Sequence, residues 1–151
     1  MKVIIGVDDS PCSKAALDFV RKMRWPLDTR FIVLSAAPLE VVAYPMVEAG
    51  GPSVIQEVQR ELVTAHEELA ARVERELQSA GLTTVGRVER GDPRDAIVRV
   101  AEREHADLVV LGSHGRTGLP KLLMGSVASY VVNHAPCPVL VVKRPRHSPL
   151  P

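Results

Sequence analysis

Cysteine is nearly absent from this 151-residue chain: Cys12 and Cys137 are the only two, and neither belongs to a CxxC pair. A disulfide framework is therefore not what holds the fold, and a reducing compartment is implied. Aromatic residues are as scarce. Phe19, Trp25, Phe31, Tyr44 and Tyr130 are too few and too scattered for a platform on which nucleobases stack. An excess of one charge is also missing, since 19 basic and 18 acidic residues intermix to a net +1. That argues against a nucleic-acid partner, which calls for a basic stripe. No apolar run approaches the roughly 20 residues of a membrane span. The opening Met1-Lys2-Val3-Ile4-Ile5-Gly6 enters a strand pattern directly, without the longer apolar core of a secretory leader. The cytoplasm is the expected location, with neither nucleic acid nor membrane as partner. His66, His105, His134 and His147 show no metal-ligand spacing with one another or with the cysteines. Two common nucleotide motifs are absent as well: the turn Asp8-Asp9-Ser10-Pro11 holds no glycine for GxGxxG, and GxxxxGK[ST] does not occur.

What is present is the pattern of one α/β domain. The composition, 46% hydrophobic and 25% charged, suits a single core large enough to bury most of its chain. Lys2 to Val7 reads as a first strand. Ser10 or Ser13 caps a helix from about 13 to 24, with Ala16, Leu17, Val20 and Met23 on its inner face. Arg30 to Ala36 is a second strand. Ala37 to Pro52, with three prolines and two glycines among apolar residues, reads as a loop that covers the sheet edge, meets a partner or forms a lid. Ser53 opens the longest helix, to about Ala80, with Gly81 as its stop. Val54, Val58, Leu62, Ala65, Leu69, Val73, Leu77 and Ala80 recur along it at helical spacing, and Glu68–Arg72 and Arg72–Glu76 are expected i,i+4 pairs. Thr83 to Glu89 alternates as a third strand. Asp92 and Pro93 start a helix to about Glu104 that turns Ala96, Ile97, Val100 and Ala101 inward. Asp107 to Leu111 and Val139 to Val142 are a fourth and a fifth strand. Five strands alternating with four helices predict a doubly wound three-layer sandwich around a parallel sheet. The domain spans 1–143, and 144–151 is expected to be a frayed tail.

Between the fourth strand and the last helix lies the stretch that carries chemistry. Glycines stand at 112, 115, 118 and 125 before Ser126, which reads as the cap of that helix. A helix N-terminus presents unpaired N–H groups and a partial positive charge, and glycines let an anion approach the backbone. Arg116 and Lys121 add cations. The segment reads as a phosphate cradle at the carboxyl end of a strand, where open α/β sheets bind ligands. If the first and fourth strands are neighbours, Asp8 and Asp9 face it. Asp8 is the better ligand candidate and Asp9 the better turn former. His114 reads as a solvent-facing loop residue. Cys12, near a helix start, is either a thiol of lowered pKa or a small packed residue.

Gly112-x2-Gly115-x9-Gly125-Ser126 resembles the G-x2-G-x9-G-[ST] ATP-binding motif of the universal stress protein family. Val3 to Pro11 is similar to that family's first strand and turn, and His134 to Val142 to its closing strand. The resemblance implies strand order 3-2-1-4-5 and a homodimer through the last strand, Val139, Leu140, Val141 and Val142. It implies that Val7 and Ala36 wall an adenine with Leu111 behind it. Asp8 would hydrogen-bond the ribose or help hold Mg²⁺, with Mn²⁺ as a substitute. Gly112, Gly115, Gly125, Ser126 and Val127 would hold ribose and phosphates; Arg116, read from its charge alone, is the cation expected to join them. The second strand ends Leu34-Ser35-Ala36-Ala37 where the family often has His-Val, and Pro120 removes one donor from the nine-residue span. The function this implies is an ATP-binding regulator or sensor of stress, with little hydrolysis. A slow Mg-dependent ATPase or nucleotidyl-transfer enzyme using Asp8 is the alternative from the enzyme class. A nucleotide-free dimeric interaction module, its glycines purely structural, is the third.

Overall fold

The computed structural model describes residues 1–38, 44–115 and 124–144, with backbone alone for 44–54. Its elements are β1 (Lys2–Gly6), α1 (Pro11–Lys22), β2 (Arg30–Ala37), α2 (Tyr44–Ser79), β3 (Thr83–Arg90), α3 (Pro93–Glu104), β4 (Leu108–Gly112), α4 (Ser126–His134) and β5 (Val139–Val142). The strands form one parallel sheet in the order β3-β2-β1-β4-β5. No helix among the described residues is long and apolar enough to cross a membrane.

Both faces of the sheet are covered, so successive strand residues alternate between two cores rather than between core and water. Val3, Ile5, Phe31, Val33 and Val110 pack with Ala16, Leu17, Val20, Leu69, Val73 and Leu77 of α1 and α2. Ile4, Ile32, Leu34, Val109 and Leu111 pack with Ile97, Val100, Ala101 and Val131 of α3 and α4. Each helix end has a local cause. Ser10 caps α1 by accepting the Ser13 N–H, and Pro11 occupies the first turn, so this helix starts two residues before the expected position. Asp92 caps α3 by accepting the Arg94 N–H, and the Arg94 guanidinium beside it holds its carboxyl below the usual range. Gly81 follows α2 at φ +84°, a backbone angle other residues adopt only at a cost.

Four expectations are corrected. The segment 37–52 is not a loop throughout, because α2 begins at Tyr44 and spans 36 residues. Pro45 falls in its first turn, where a missing N–H is tolerated. Gly50, Gly51 and Pro52 are carried as an extension of a long helix whose nucleation cost is already met. Residues 39–43 lie outside the described residues, as does the side chain of Val54. Second, Met23, Ala65 and Ala80 are exposed: Met23 lies past the end of α1, and His66 takes the buried position beside Ala65. Third, Arg72 pairs with Asp9 at 3.1 Å and Glu76 with Arg21 at 2.6 Å, so these charges tie α2 to neighbouring segments rather than to its own next turn. Fourth, the N-cap of α4 is Gly125, not Ser126, and no side chain caps that helix. The tail from 145 on lies outside the described residues.

Candidate functional site

Between β1 and β4 the winding of the sheet reverses, and the segments leaving the two strand ends diverge. A cleft of about 430 Å³ opens there, a size that suits a small-molecule ligand. One half is apolar, walled by Val7, Leu34, Ala36, Ile97 and Leu111. Gly6 makes that wall possible. A Cβ on it would stand 2.4 Å from Leu111 Cδ2 and 3.2 Å from Ile97 Cδ1, so both side chains close over bare backbone.

The polar half is built by two turns that hold each other. After β1, the Asp8 N–H donates to Ser13 Oγ at 3.1 Å, and Asp8 Oδ1 accepts the Ser10 N–H at 3.0 Å. Ser10 Oγ accepts the Ser13 N–H at 3.1 Å and donates to the His114 carbonyl at 3.2 Å, linking the β1 turn to the β4 turn. After β4, the Ser113 N–H donates to the Val142 carbonyl at 2.8 Å, while the Ser113 carbonyl accepts the Gly125 N–H at 2.7 Å. The buried Ser113 hydroxyl lies 3.1 Å from His114 Nδ1 and donates to Cys12 Sγ at 3.7 Å. These bonds anchor the start of α4 against the end of β4, and Ser126, Val127 and Ala128 line the cleft. With Gly125 as an uncapped N-terminus, the first-turn amides supply donors and partial positive charge at that wall.

Of the residues expected from the sequence, Val7, Asp8, Ala36, Leu111, Gly112, Gly115, Gly125, Ser126 and Val127 all line this one cleft. Arg116 lies outside the described residues, as do Lys121 and Pro120. The glycines differ in what demands them. A Cβ on Gly112 would stand 2.6 Å from the Cys12 carbonyl carbon and 2.8 Å from Ser13 N, so Gly112 is where the first turn of α1 presses on β4. A Cβ on Gly115 would stand 3.0 Å from Asp8 Oδ2, which places Asp8 directly against the glycine segment. A Cβ on Gly125 would stand 3.1 Å from the Ser113 carbonyl oxygen. Asp9 is drawn away by Arg72, and the half-buried Cys12 touches Ser113 without lining the cleft. Burial, with the Asp107 carboxylate adding to it, pushes the Cys137 thiol up. His114 lines the cleft rather than facing solvent alone.

Sequence reasoning missed Ser10, Ser13, Ile97 and His66 as parts of this site. His66 left one signal: it lies four residues after Leu62 and three before Leu69, on the apolar stripe of α2.

A family model described as the universal stress protein family matches residues 1–143. Universal stress protein Sll1388 of Synechocystis sp. is 29% identical over 149 residues, 94% of this chain and 97% of that protein. Universal stress proteins MJ0531 and MJ0577 of Methanocaldococcus jannaschii are 54% and 40% identical over 56 and 72 residues, covering 37% and 48% of this chain. Those matches span only 33% and 44% of the two relatives' own lengths. The solved structure of MJ0577 superposes with a TM-score of 0.82 at 27% identity, over 96% of both chains. An Arabidopsis thaliana universal stress protein family protein, solved with AMP bound, shares the fold at a TM-score of 0.68 and 19% identity over 97% and 93% of the chains. Other universal stress proteins of this fold are solved in complex with cAMP and with dAMP. The match over nearly the whole chain, together with the sheet order and the glycine segment at its switch point, settles the kinship: this chain belongs to the universal stress protein family.

Proposed function

We propose that the cleft binds an adenine nucleotide, ATP above all, and that the protein is a nucleotide-dependent regulator or sensor in the stress response. One observation carries this reading: the uncapped α4 N-terminus and the Asp8 carboxylate lie on the walls of a single cleft whose remaining half is apolar. That is the division of labour a nucleotide needs. Phosphates meet the amides of Ser126 and Val127, ribose meets Asp8 beside Gly115, and the base lies against Val7, Ala36 and Leu111. The relatives solved with AMP, cAMP and dAMP support an adenine ligand. Among the described residues no group of three or more His, Cys, Asp or Glu is placed to hold a metal. Asp8 is thus a single carboxylate toward Mg²⁺ or Mn²⁺, which fits an ion that takes its other ligands from phosphates and water. The phosphate end offers donors that hold charge, and this favours retention over turnover. Mass spectrometry of nucleotide released from freshly purified, acid-denatured protein is expected to show an adenine nucleotide. Calorimetry of stripped protein with ATP and Mg²⁺ is expected to give a Kd of about 10 μM or tighter. No heat and no released nucleotide would end this reading.

The reading includes a homodimer through β5. This strand ends the sheet beyond β4, and all four of its residues, Val139 to Val142, are apolar yet only half-buried. Val141→Asp is expected to weaken self-association at least about tenfold in sedimentation equilibrium, one buried charge being sufficient for that. A wild-type protein that sediments as a monomer throughout would remove the dimer.

A further inference from the structure

We propose that Lys2, Arg30 and Arg87 form a second anion site, at the end of the sheet opposite the cleft, which takes a small phosphate monoester. The proposal is independent of the nucleotide reading. Lys2, Arg30 and Thr83 are register partners at the starts of β1, β2 and β3, so their side chains stand on one face of the sheet. Arg87 lies four residues beyond Thr83 and so stands on the same face. This is the face whose Ile4 and Ile32 pack with α3. α3 lies over β1 and β2, and Val85 of β3, the register partner of Ile32, is left 43% exposed. A depression of about 250 Å³ opens there, lined by the three cations, by Glu104 of α3, and by Ile32 and Val85.

The charge in this depression does not balance. Three cations meet one carboxylate, and among the described residues Arg30 has no ion pair. The nearby carboxylates are engaged elsewhere: Asp107 accepts the Lys2 backbone N–H at 2.7 Å, and Glu89 pairs with Arg103 at 2.6 Å. Lys2 and Arg30 stand directly opposite each other on adjacent strands, and like charges so placed destabilise a sheet. Stability alone would favour a neutral or acidic residue at position 30. Glu104 shows what these cations converge on. Its Oε1 accepts from Arg87 Nη1 at 2.5 Å and its Oε2 from Lys2 Nζ at 3.2 Å. Arg87 first, and Lys2 after it, hold that carboxyl below the usual range. A phosphate monoester carries close to two negative charges at neutral pH, which matches the excess, and the Arg30 guanidinium offers it a two-pronged donor. The exposed Val85 gives the ester's organic group an apolar surface. The depression is smaller than the usual pocket for a drug-sized ligand, so a small ester suits it better than a nucleotide.

The test is an amide NMR titration of the full-length chain with phenyl phosphate at constant ionic strength. Saturable shifts at residues 30–32 and 83–87 are expected, with a Kd of about 1 mM or tighter. Any binding in the cleft is read separately, at residues 113–115 and 125–127. Benzoate, with a single charge, is expected to bind the depression at least about tenfold more weakly. Arg30→Gln is expected to weaken phenyl phosphate there about tenfold, while the melting temperature holds or rises by up to about 3 °C as the like-charge pair is relieved. Glu104→Gln, which removes the competing carboxylate, is expected to tighten binding about threefold or more. Shifts confined to the cleft, or no saturation by about 20 mM, overturn the site. So does unchanged binding in Arg30→Gln, or a loss there accompanied by a fall of more than about 2 °C, which marks a structural role. Unchanged or weaker binding in Glu104→Gln is equally fatal. Vesicles containing phosphatidic acid that shift the same amides, with no response to phenyl phosphate, would overturn the free ester as the ligand.

Discussion

Gly112→Ala is expected to lower the melting temperature by roughly 10 °C, about 3 kcal/mol for a domain of this size. The added Cβ would stand 2.6 Å from the Cys12 carbonyl carbon, 2.8 Å from its oxygen and 2.8 Å from Ser13 N. All three are backbone atoms in the first turn of α1, so no side chain can swing aside to relieve the contact. Either the helix or the strand must shift, and both are tied. β4 is paired on both sides, to β1 and to β5, and the start of α1 is held by the bonds among Asp8, Ser10 and Ser13. Thermal unfolding by circular dichroism measures the effect, and a shift of under about 2 °C would show that the turn yields cheaply. The first glycine of the spaced motif is thus required by helix–strand packing, whatever it contributes to a ligand. Gly125 is the contrasting case. Its absent Cβ faces the Ser113 carbonyl oxygen at 3.1 Å, at the wall where the α4 amides line the cleft.

Asp8→Ala is expected to weaken ATP binding by about 10- to 100-fold, the range for losing a hydrogen bond to a charged group. The carboxylate does two things at once. Oδ1 accepts the Ser10 N–H at 3.0 Å and so shapes the turn, while Oδ2 lies against Gly115. Asp8→Asn separates the candidate roles, because an amide oxygen can still accept from Ser10 and from a ribose hydroxyl. If Asp8 serves the ribose, the Asn variant keeps much of its affinity and the same response to Mg²⁺. Should it serve the ion, the Mg²⁺ dependence of binding collapses in the Asn variant while metal-free binding is kept. Titration calorimetry with and without Mg²⁺ reads both. Wild-type affinity in Asp8→Ala would take Asp8 out of the site.

How much was legible varies with how local the cause is. β5 occupies Val139–Val142 as read from the sequence, since Pro136 and Pro138 bracket its start and four apolar residues complete it. α3 was equally plain: Asp92 and Pro93 supply cap and first turn, and Ala96, Ile97, Val100 and Ala101 are its buried face as expected. α2 was misread because helix propensity speaks residue by residue. Gly50, Gly51 and Pro52 argue locally for a break, while a helix already running from Ser53 to Ser79 can extend through them. The end of α4 failed in a smaller way. Serine is the better capping type, yet the backbone bond from Gly125 to Ser113 puts glycine at the cap and Ser126 inside the first turn.

By itself the sequence determined the α/β class, the alternation of five strands with four helices, and a glycine-spaced segment able to receive an anion. Those follow from period, caps and turn residues, which act over a few positions of chain. Only the tertiary structure decided what faces what. It seated Asp8 against Gly115, carried Ile97 from α3 and His66 from α2 to the same cleft, and pressed α1 onto Gly112. The physical reason is the pairing of β1 with β4, strands about a hundred residues apart in the chain. Such a contact is selected by competition among all the ways a sheet can be wound and covered, and no local pattern records its outcome.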